Sequence, residues 1–531
     1  MTMTDPLDMQ QYRIERLPKR DKGPVERWLA AAGPFLALAA FVLFAYAVEL
    51  PFLRGLQPSD VVTASAKQTL EKVGLERFIR NNEYMLAVFA ASIILWMTQA
   101  IPNYLTSLLL IITLVLTGVL PEKTAYAQLG HPVMWLNIMS FVLASMLVAT
   151  GLAKRFALWL ILRFGKTAPS VFLTFIVINM ILSAFISATT AKAAILLPIF
   201  MVIAAIYGAE GGAKRNNFGR SIVLQNLLNI NLGAGAFVTG SGANLLGAAI
   251  IGGAISGSVF FADWMLAMFP FMLVLMLLGY LLAMRIFFPL SPAERLPQIE
   301  GGMERLRAEY GRLGRMSANE VKAAVIFVVI LALWATDSLH GISPTAVAFV
   351  GAIVALLPRY GIVQWNEVDV PWHLMLFSAG AYTLGSGLDA TDLPAIAVNA
   401  FFNHLGIGTE TPFWVLYLSL TALMVYSALL FQSKTMRAMI FIPIAIGVAN
   451  RFGFPVISLA LPVAFMIEHV YVLPFNSKPA ALLYETDHYS LGDTFRYGVT
   501  MMTIAWLLII AAGETWFRYL GITPNGVFGL F

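Results

Sequence analysis

Long apolar stretches, separated by short polar segments, form the dominant pattern of the chain. A stretch of about 20 apolar residues is long enough to cross the hydrocarbon core of a bilayer as a helix. Only a membrane protein accommodates so many of them, so the pattern predicts an all-α, polytopic fold with about 11 transmembrane helices. Examples of these stretches are 34–49, 84–101, 105–120, 171–187, 262–284, 321–336 and 497–513.

The composition agrees with a membrane protein and excludes several functional classes. Of the 531 residues, 59% are hydrophobic and 12% are charged, which is far too apolar for a soluble domain. The sequence has no cysteine, no HExxH motif and no aspartate pair in adjacent apolar segments. We therefore expect no enzyme activity, no cofactor and no side-chain metal site. The net charge of +5 is a topology signal and does not indicate a nucleic-acid partner.

Basic residues predict the orientation in the membrane. Lys19, Arg20, Lys22 and Arg27 precede the first apolar run, and no cleavable signal peptide is expected, so the N-terminus is predicted to be cytoplasmic. The long polar linker at 285–322 also carries more basic than acidic residues and is predicted to be cytoplasmic. These signals favour a multi-pass protein of a plasma membrane or a bacterial inner membrane. The basic segment 54–83 conflicts with simple alternation, and an interfacial amphipathic helix there would resolve the conflict.

Two short segments, one on each side of the linker, match each other. Residues 188–199 read ATTAKAAILLPI, and residues 433–444 read SKTMRAMIFIPI. A cation falls at the same place in both, because Lys192 aligns with Arg437. A cation at the centre of a membrane helix costs about 2.5–3.5 kcal/mol on the insertion scale, so its presence in such apolar surroundings suggests a function. Lys434 adds a second cation to the second segment.

Further matching features precede and follow these segments in the same order. A small-residue interruption follows each one, TGSGANLLG at 239–247 and FNSKPAALLY at 475–484. A short apolar stretch with Pro near its start and Gly-Leu at its end precedes each one, at 131–152 and 370–388, and we predict re-entrant hairpins there. Three matches in order indicate an internal duplication. Repeats with interrupted helices are typical of secondary transporters, whose exposed helix N-termini attract anions.

Three longer motifs resemble the divalent anion/sodium symporter family, which carries dicarboxylates, citrate or sulfate. WMTQAIP at 96–102 resembles the family's W-M-T-E-A-I-P, and 356–393 is similar to its second hairpin region. LPFNSKPAALLYETDHYSLGDTFRYG at 473–498 resembles its signature stretch. The resemblance implies two inverted repeats, two re-entrant hairpins and an elevator-type carrier that forms a homodimer through its scaffold.

The resemblance also implies a division of the chain into scaffold and transport domains. The cytoplasmic linker 285–322 falls within the second scaffold segment. The predicted segments are an N-terminal cytoplasmic segment at 1–30, scaffold helices at 31–129, a first transport repeat with hairpin and broken helix at 130–250, further scaffold helices at 251–365 and a second transport repeat at 366–531.

The substrate-binding elements depart from the family pattern. Its two Ser-Asn-Thr motifs correspond to Ala188-Thr189-Thr190 and Ser433-Lys434-Thr435, so both asparagines are replaced. Its two T-P-P-N turns correspond to 241–244 and 477–480. By resemblance, the substrate-binding residues are Thr189, Thr190, Ser433, Lys434, Thr435, Ser241, Asn244, Ser477, Lys478 and Pro479. Sodium sites, if present, would fall near Ala188, Gly242 and Ser477.

The two new lysines suggest an unusual coupling mode. Lys434 and Lys478 place ammonium groups where relatives enclose sodium, so the predicted function is sodium-independent exchange of small divalent or polyvalent anions, most simply C4 dicarboxylates. The alternatives are sodium- or proton-coupled symport of a dicarboxylate, tricarboxylate, sulfate or sulfonate, and an anion channel. Lys192 and Arg437 have either a charge role in the site or a role in pairing with acidic neighbours or snorkelling. His488 belongs either to a solvated loop or to a proton relay.

Overall fold

The structure is a computed structural model, and every regular element in its described part is helical. It describes residues 7–9, 24–255, 257, 259–299, 301–406, 408, 410–431 and 433–530. Eight helices are long and apolar enough to cross a membrane, and five shorter apolar helices accompany them. The all-α, polytopic prediction is therefore confirmed. The basic residues Lys19, Arg20 and Lys22 lie outside the described residues.

Twenty-five α-helices follow one another along the described chain. The first half contains α1 (Pro24–Val42), α2 (Pro51–Arg54), α3 (Ala64–Val73), α4 (Leu75–Thr98), α5 (Asn103–Leu116), α6 (Glu122–Ala127), α7 (Pro132–Thr150), α8 (Leu152–Phe164), α9 (Ala168–Phe185), α10 (Thr189–Ile206), α11 (Asn217–Gly235), α12 (Gly242–Ala254) and α13 (Phe261–Leu282). The linker and second half contain α14 (Gly302–Arg312), α15 (Ala318–Ala335), α16 (Asp337–His340), α17 (Pro344–Leu356), α18 (Trp372–Thr391), α19 (Leu393–His404), α20 (Phe413–Tyr426), α21 (Lys434–Phe452), α22 (Val456–Phe465), α23 (Lys478–Tyr484), α24 (Leu491–Glu514) and α25 (Trp516–Tyr519).

The two halves pack against each other reciprocally. Helix α5 of the first half packs on α18 of the second, and α17 of the second half packs on α7 of the first. Likewise, α12 contacts α21 while α23 contacts α10. Such exchanged contacts are what two structural repeats related by a pseudo-two-fold axis produce, and they support the duplication inferred from sequence. Helix α11 lies at the centre, with nearly every residue buried.

The α5–α18 contact depends on a glycine, which gives a test of the packing. A Cβ added at Gly380 would overlap the side chain and Cα of Ser107 on α5, and Ser107 also donates a hydrogen bond to the carbonyl of Phe377 at 3.3 Å. We expect Gly380→Ala to destabilise the protein by about 1–3 kcal/mol, because this overpacking forces the helices apart. Thermal unfolding in detergent measures the loss. Gly385→Ala, with nothing within 4 Å of its new Cβ, is the control, and equal stability of the two variants would contradict the close approach.

The predicted re-entrant hairpins at 131–152 and 370–388 are single helices instead. Helix α7 has 19 residues and α18 has 20, and neither turns back on itself. In the first repeat the Gly-Leu ending marks a helix C-terminus, where Gly151 adopts the left-handed conformation at φ 69° and leads into α8. In the second repeat Gly387 and Leu388 lie inside α18, which ends at Asp392, a left-handed residue at φ 52° that leads into α19. The sequence signal was real, but it records a sharp turn between two helices.

Hairpins and helix breaks are present, but in exchanged positions. Short connections at 186–188 and 427–433 join α9 to α10 and α20 to α21, so the matched segments form hairpin tips and not broken helices. Pro198 and Pro443 lie within continuous helices. The breaks lie at the small-residue interruptions noted in the sequence, where α11 ends before α12 and α22 ends before α23. The scaffold and transport boundaries stay predictions.

Candidate functional site

A cavity of about 470 Å³ lies where the two hairpin tips meet the two helix breaks. Eight of the ten predicted substrate-binding residues line it, and so do Ala188 and Gly242 near the proposed sodium positions. The structure thus brings together residues that are far apart in sequence. The eight lining residues are Thr189, Thr190, Ser241, Ser433, Lys434, Thr435, Ser477 and Lys478.

Four helices begin at this cavity. In three of them a serine caps the first turn: Ser241, Ser433 and Ser477 each accept a backbone N–H three residues later, at 3.2–3.3 Å. Helix α10 begins after Ala188 and has no side-chain cap. The remaining free N–H groups and the positive ends of the helix dipoles create a positive field in the cavity. This arrangement favours an anionic ligand.

The facing wall comes from helices that the sequence analysis did not assign to the site. It is formed by the junction between α4 and α5 together with α7 and α18. The motif WMTQAIP runs through that junction, and Gln99 within it has a left-handed backbone at φ 48°. This unusual turn brings polar groups to the cavity edge. The polar residues added by this wall are Thr98, Gln99, Asn103, Asn137 and Ser378.

Lys434 is paired with a carboxylate that sequence reasoning missed. Its Nζ donates to both oxygens of Glu468, at 2.8 and 3.0 Å. The Glu468 side chain is 1% exposed and Lys434 is 18% exposed. Ser241 of the other repeat also donates a hydrogen bond to Glu468. The assumption that Lys434 contributes an unopposed charge is therefore wrong. Glu468 itself was a sequence signal for this pair, since a carboxylate inside an apolar segment is unusual.

A match to a protein-family profile identifies the class of protein that contains this cavity. The profile described as the sodium:sulfate symporter transmembrane region matches residues 76–523. This chain belongs to that family. Its members are membrane transporters, so the protein is a transporter and not an enzyme.

Individual relatives are distant but cover most of the chain. The sodium-dependent high-affinity dicarboxylate transporter 3 of Caenorhabditis elegans is 23% identical, over 78% of this chain and 80% of its own. Dicarboxylate transporter 1, chloroplastic, of Arabidopsis thaliana is 24% identical, over 84% and 80%. The crystal structure of the YdaH transporter of Alcanivorax borkumensis has a TM-score of 0.50 at 14% identity and covers 76% of this chain and 88% of that chain. That last likeness concerns the fold alone.

Lys192 and Arg437 hold the transporter's hairpin tips against its helix breaks. Lys192 Nζ donates to Ser183 Oγ at 2.7 Å and to the carbonyl of Ile230 at 3.2 Å. Arg437 likewise donates to Ser427 Oγ at 2.9 Å and to the carbonyl of Ile467 at 3.2 Å, and it also contacts the carbonyl of Met424. Both side chains are fully buried and neither lines the cavity. Within the described residues, neither forms an ion pair within 4.0 Å, and neither snorkels.

The remaining predicted residues lie away from the cavity surface. Asn244 Nδ2 donates to the carbonyls of Ala234 and Phe237 at 2.9 and 3.1 Å, and so holds the first helix break together. Pro479 is buried in the first turn of α23. These two residues therefore act on the shape of the site and do not line it.

His488 lies neither in a solvated loop nor in a proton relay, the two alternatives that the sequence left open. It is buried on the loop before α24, where its Nδ1 is 2.7 Å from the Thr486 carbonyl. It is outside the cavity lining, so the loop is not simply solvated and no relay to the cavity is formed by contacts in the described residues. Burial lowers the pKa of His488 and keeps the ring neutral near pH 7.

The residues present fit a hard cation in one repeat and not in the other. In the first repeat, three buried oxygens lack hydrogen-bond partners among the described residues: Ser187 Oγ, Thr239 Oγ1 and Asn244 Oδ1. Such oxygens suit sodium. In the second repeat an ammonium stands at the tip, and Ala480 replaces the position of Asn244. The second repeat therefore lacks the counterpart of the Asn244 oxygen and carries an ammonium where the first repeat has the Thr189 hydroxyl.

Proposed function

We propose that the protein is a sodium-independent exchanger of small dianions, with C4 dicarboxylates as the preferred class. The observation that carries the proposal is the balance of charge around the cavity. Lys192, Lys434 and Arg437 lie around one carboxylate, Glu468, which acts electrostatically on both buried cations. With all three cations protonated, these four groups carry three positive charges and one negative charge, an excess of two. Lys478, the further cation of the cavity lining, is exposed and its charge is screened by solvent. A bound dianion neutralises that excess.

The excess charge explains why exchange is favoured over one-way transport. Moving an uncompensated cation through a membrane interior costs about 2.5–3.5 kcal/mol on the insertion scale. The empty site must therefore cross against a charge barrier, whereas the dianion-loaded site crosses nearly neutral. A carrier that returns readily only when loaded exchanges one anion for another. Lys434 and Lys478 alone do not create this excess, since Glu468 offsets Lys434.

The substrate class is supported by the geometry and by the relatives. The helix N-termini provide donors for a carboxylate or sulfate group. Exposed Lys478 adds a cation to the cavity lining. The two relatives named as dicarboxylate transporters favour dicarboxylates over tricarboxylates, sulfate and sulfonates.

We further propose an elevator motion within a homodimer, with the N-terminus in the cytoplasm. In this proposal the hairpins α9–α10 and α20–α21 move as one unit with the broken helices. The interlocked contacts of α12 with α21 and of α23 with α10 support a single moving body. In this proposal α7 and α18, which the sequence analysis placed in the transport repeats, belong with α5 to the wall that the moving body slides against.

Proteoliposomes test the exchange proposal. Vesicles loaded with unlabelled succinate should take up labelled succinate from outside at the same rate in sodium, potassium or choline buffer. Empty vesicles should take up little label even under a sodium gradient, because the empty site does not return. Saturation of the rate and trans-stimulation distinguish a carrier from a channel. Uptake that requires sodium, or sodium-driven accumulation in empty vesicles, would overturn the proposal.

Sodium-coupled symport is the second candidate, because a specific feature favours it. Ser187, Thr239 and Asn244 present unpartnered buried oxygens in the first repeat, and the Caenorhabditis elegans relative is named as sodium-dependent. One sodium ion held there would accompany the anion. The comparison of sodium with choline in the vesicle experiment decides between the two candidates.

A further inference from the structure

Lys192 is a buried ammonium whose hydrogen-bond partners are all neutral. Its Nζ contacts only the hydroxyl of Ser183 and the carbonyl of Ile230 among the described residues, and its side chain is 0% exposed. The corresponding residue of the second repeat is Arg437, which holds equivalent groups. An arginine keeps its charge under all ordinary conditions, whereas a buried lysine readily releases a proton. At this matched position, therefore, only the first repeat has a side chain that readily changes its protonation state.

A buried polar track leads away from Lys192. Ser183 lies four residues after Asn179 on the same face of α9, and Asn179 Nδ2 donates to Asn226 Oδ1 on α11 at 3.2 Å. Gln225 and Ser221, one turn apart on the neighbouring face of α11, place further buried polar groups nearer the start of the helix. That end of α11 is tied to the polar linker, since Asn217 Nδ2 donates to the carbonyl of Pro289 at 3.0 Å. The track thus runs from the site towards the face that carries the linker.

Several atoms along this track are buried and lack a partner among the described residues. Buried polar atoms in this state are normally satisfied by ordered water, and chains of such waters conduct protons between side chains. The atoms therefore mark positions for water between Lys192 and the linker. They are Asn179 Oδ1, Ser221 Oγ, Gln225 Oε1, Gln225 Nε2 and Asn229 Nδ2.

The charged groups around Lys192 are few. Glu468 and Lys434 act on it from the helix break and the opposite hairpin tip, with opposite signs. Helices α9 and α11 present only neutral groups to it along the track. Charged residues of the neighbouring elements lie towards the linker end, where Arg155 pairs with Glu320 and Arg220 with Asp493. Substrate charge is therefore the main variable that acts on the ammonium.

We propose that Lys192 exchanges a proton with water along this track in step with anion binding and release. When the dianion leaves, an N–H bond of the ammonium breaks, its electron pair stays on nitrogen, and water in the track accepts the proton and passes it towards the linker face. When a dianion binds, a proton returns and restores the ammonium. This inference rests on the proposed dianion site. It predicts that net uptake, unlike exchange, carries a proton with each anion.

Calorimetry measures the proposed proton directly. Succinate is titrated into the purified full-length transporter, in buffers of different ionisation enthalpy, from about pH 6 to about pH 9. Wild-type protein should take up a proton on binding, approaching about one per anion at the pH where the empty site has released it. Lys192→Arg should bind succinate within about tenfold of the wild-type affinity, with no proton uptake. Lys166→Arg, an exposed lysine before α9, should behave as wild type.

Each outcome bears on a different claim. Succinate binding by the wild type without proton uptake at any pH overturns the role of Lys192 and leaves the dianion site standing. Absence of any succinate binding overturns the proposed function, and this inference falls with it. If Lys192→Arg does not fold, Ser183→Ala replaces it. That variant removes an acceptor of the ammonium, so its proton uptake must move to lower pH, and an unchanged profile overturns the proposal.

Discussion

Lys434→Ala is expected to abolish anion exchange and to destabilise the transporter by about 3–5 kcal/mol. The truncation leaves the Glu468 carboxylate buried without its cation, and breaking a buried ion pair from one side has this cost. Exchange is lost because the ammonium that lines the cavity is gone and the excess around the site falls from two positive charges to one, which no longer neutralises a dianion. The exchange rate in loaded vesicles and the thermal melting point in detergent measure the two effects separately.

Changing both partners separates stability from transport. In the double variant Lys434→Ala/Glu468→Gln the carboxylate that would lose its ammonium is removed as well, and Ser241 retains an acceptor, so most of the stability should return. Exchange should stay absent although Lys192 and Arg437 keep an excess of two positive charges, because Lys434 is the one of these three cations that lines the cavity. Lys434→Asn, which restores the residue typical of the family, should also lose sodium-independent exchange. Normal exchange by either single variant would show that Lys434 has only a structural role.

Lys478→Ala is the matched control for the stability effect. This lysine also lines the cavity, but it is exposed and forms no ion pair within 4.0 Å in the described part of the chain. Its removal should leave the melting point unchanged, since surface charges contribute little to stability. A large loss of stability in Lys478→Ala would contradict the assignment of the destabilisation to Glu468.

Arg437→Met is expected to prevent accumulation of folded protein. The guanidinium satisfies Ser427, the carbonyl of Ile467 and the carbonyl of Met424, all at a fully buried position. Each buried acceptor left without a donor costs about 1–3 kcal/mol. The Met424 carbonyl keeps its hydrogen bond from the Ser427 hydroxyl, so the Ser427 oxygen and the Ile467 carbonyl account for the loss, which still consumes a large part of the stability of an ordinary protein. The yield of monodisperse protein after size-exclusion chromatography measures the effect. Arg437→Lys, which retains donors and charge, should recover part of the yield.

An exposed arginine provides the control for Arg437→Met. Arg496 is exposed on α24, and Arg496→Met should accumulate at the wild-type level. If Arg437→Met accumulated equally well, the link between the α20–α21 tip and the second break would not be needed for folding. The proposal that Arg437 is structural, and not a substrate ligand, would then fail.

The amino-acid sequence allowed the architecture to be predicted because its signals are local. Apolar length predicts spanning helices, and the matched prolines and cations revealed the duplication. The sequence also named eight of the residues that line the cavity, in part because the tips at 188–190 and 433–435 carry hydroxyl groups in an apolar setting. These signals need no knowledge of how distant segments meet.

The remaining features depend on contacts between distant segments. Gly151 ends a helix by a left-handed turn. A glycine at this position is compatible both with a re-entrant hairpin and with a turn into a separate helix, so the sequence does not distinguish the two. The Lys434–Glu468 pair joins residues 34 positions apart and also reaches Ser241, 227 positions from Glu468. The short spacing rules used on the sequence do not cover such distances.

The two hairpin tips at the cavity have the same backbone arrangement but different side-chain chemistry. Thr189 begins the helix at one tip, and Lys434 begins the helix at the other. A substrate with two identical ends, such as succinate, would therefore place one end beside a hydroxyl and the other beside an ammonium. Its two carboxylates would cease to be equivalent on binding, so a symmetric molecule would acquire a head and a tail inside the protein.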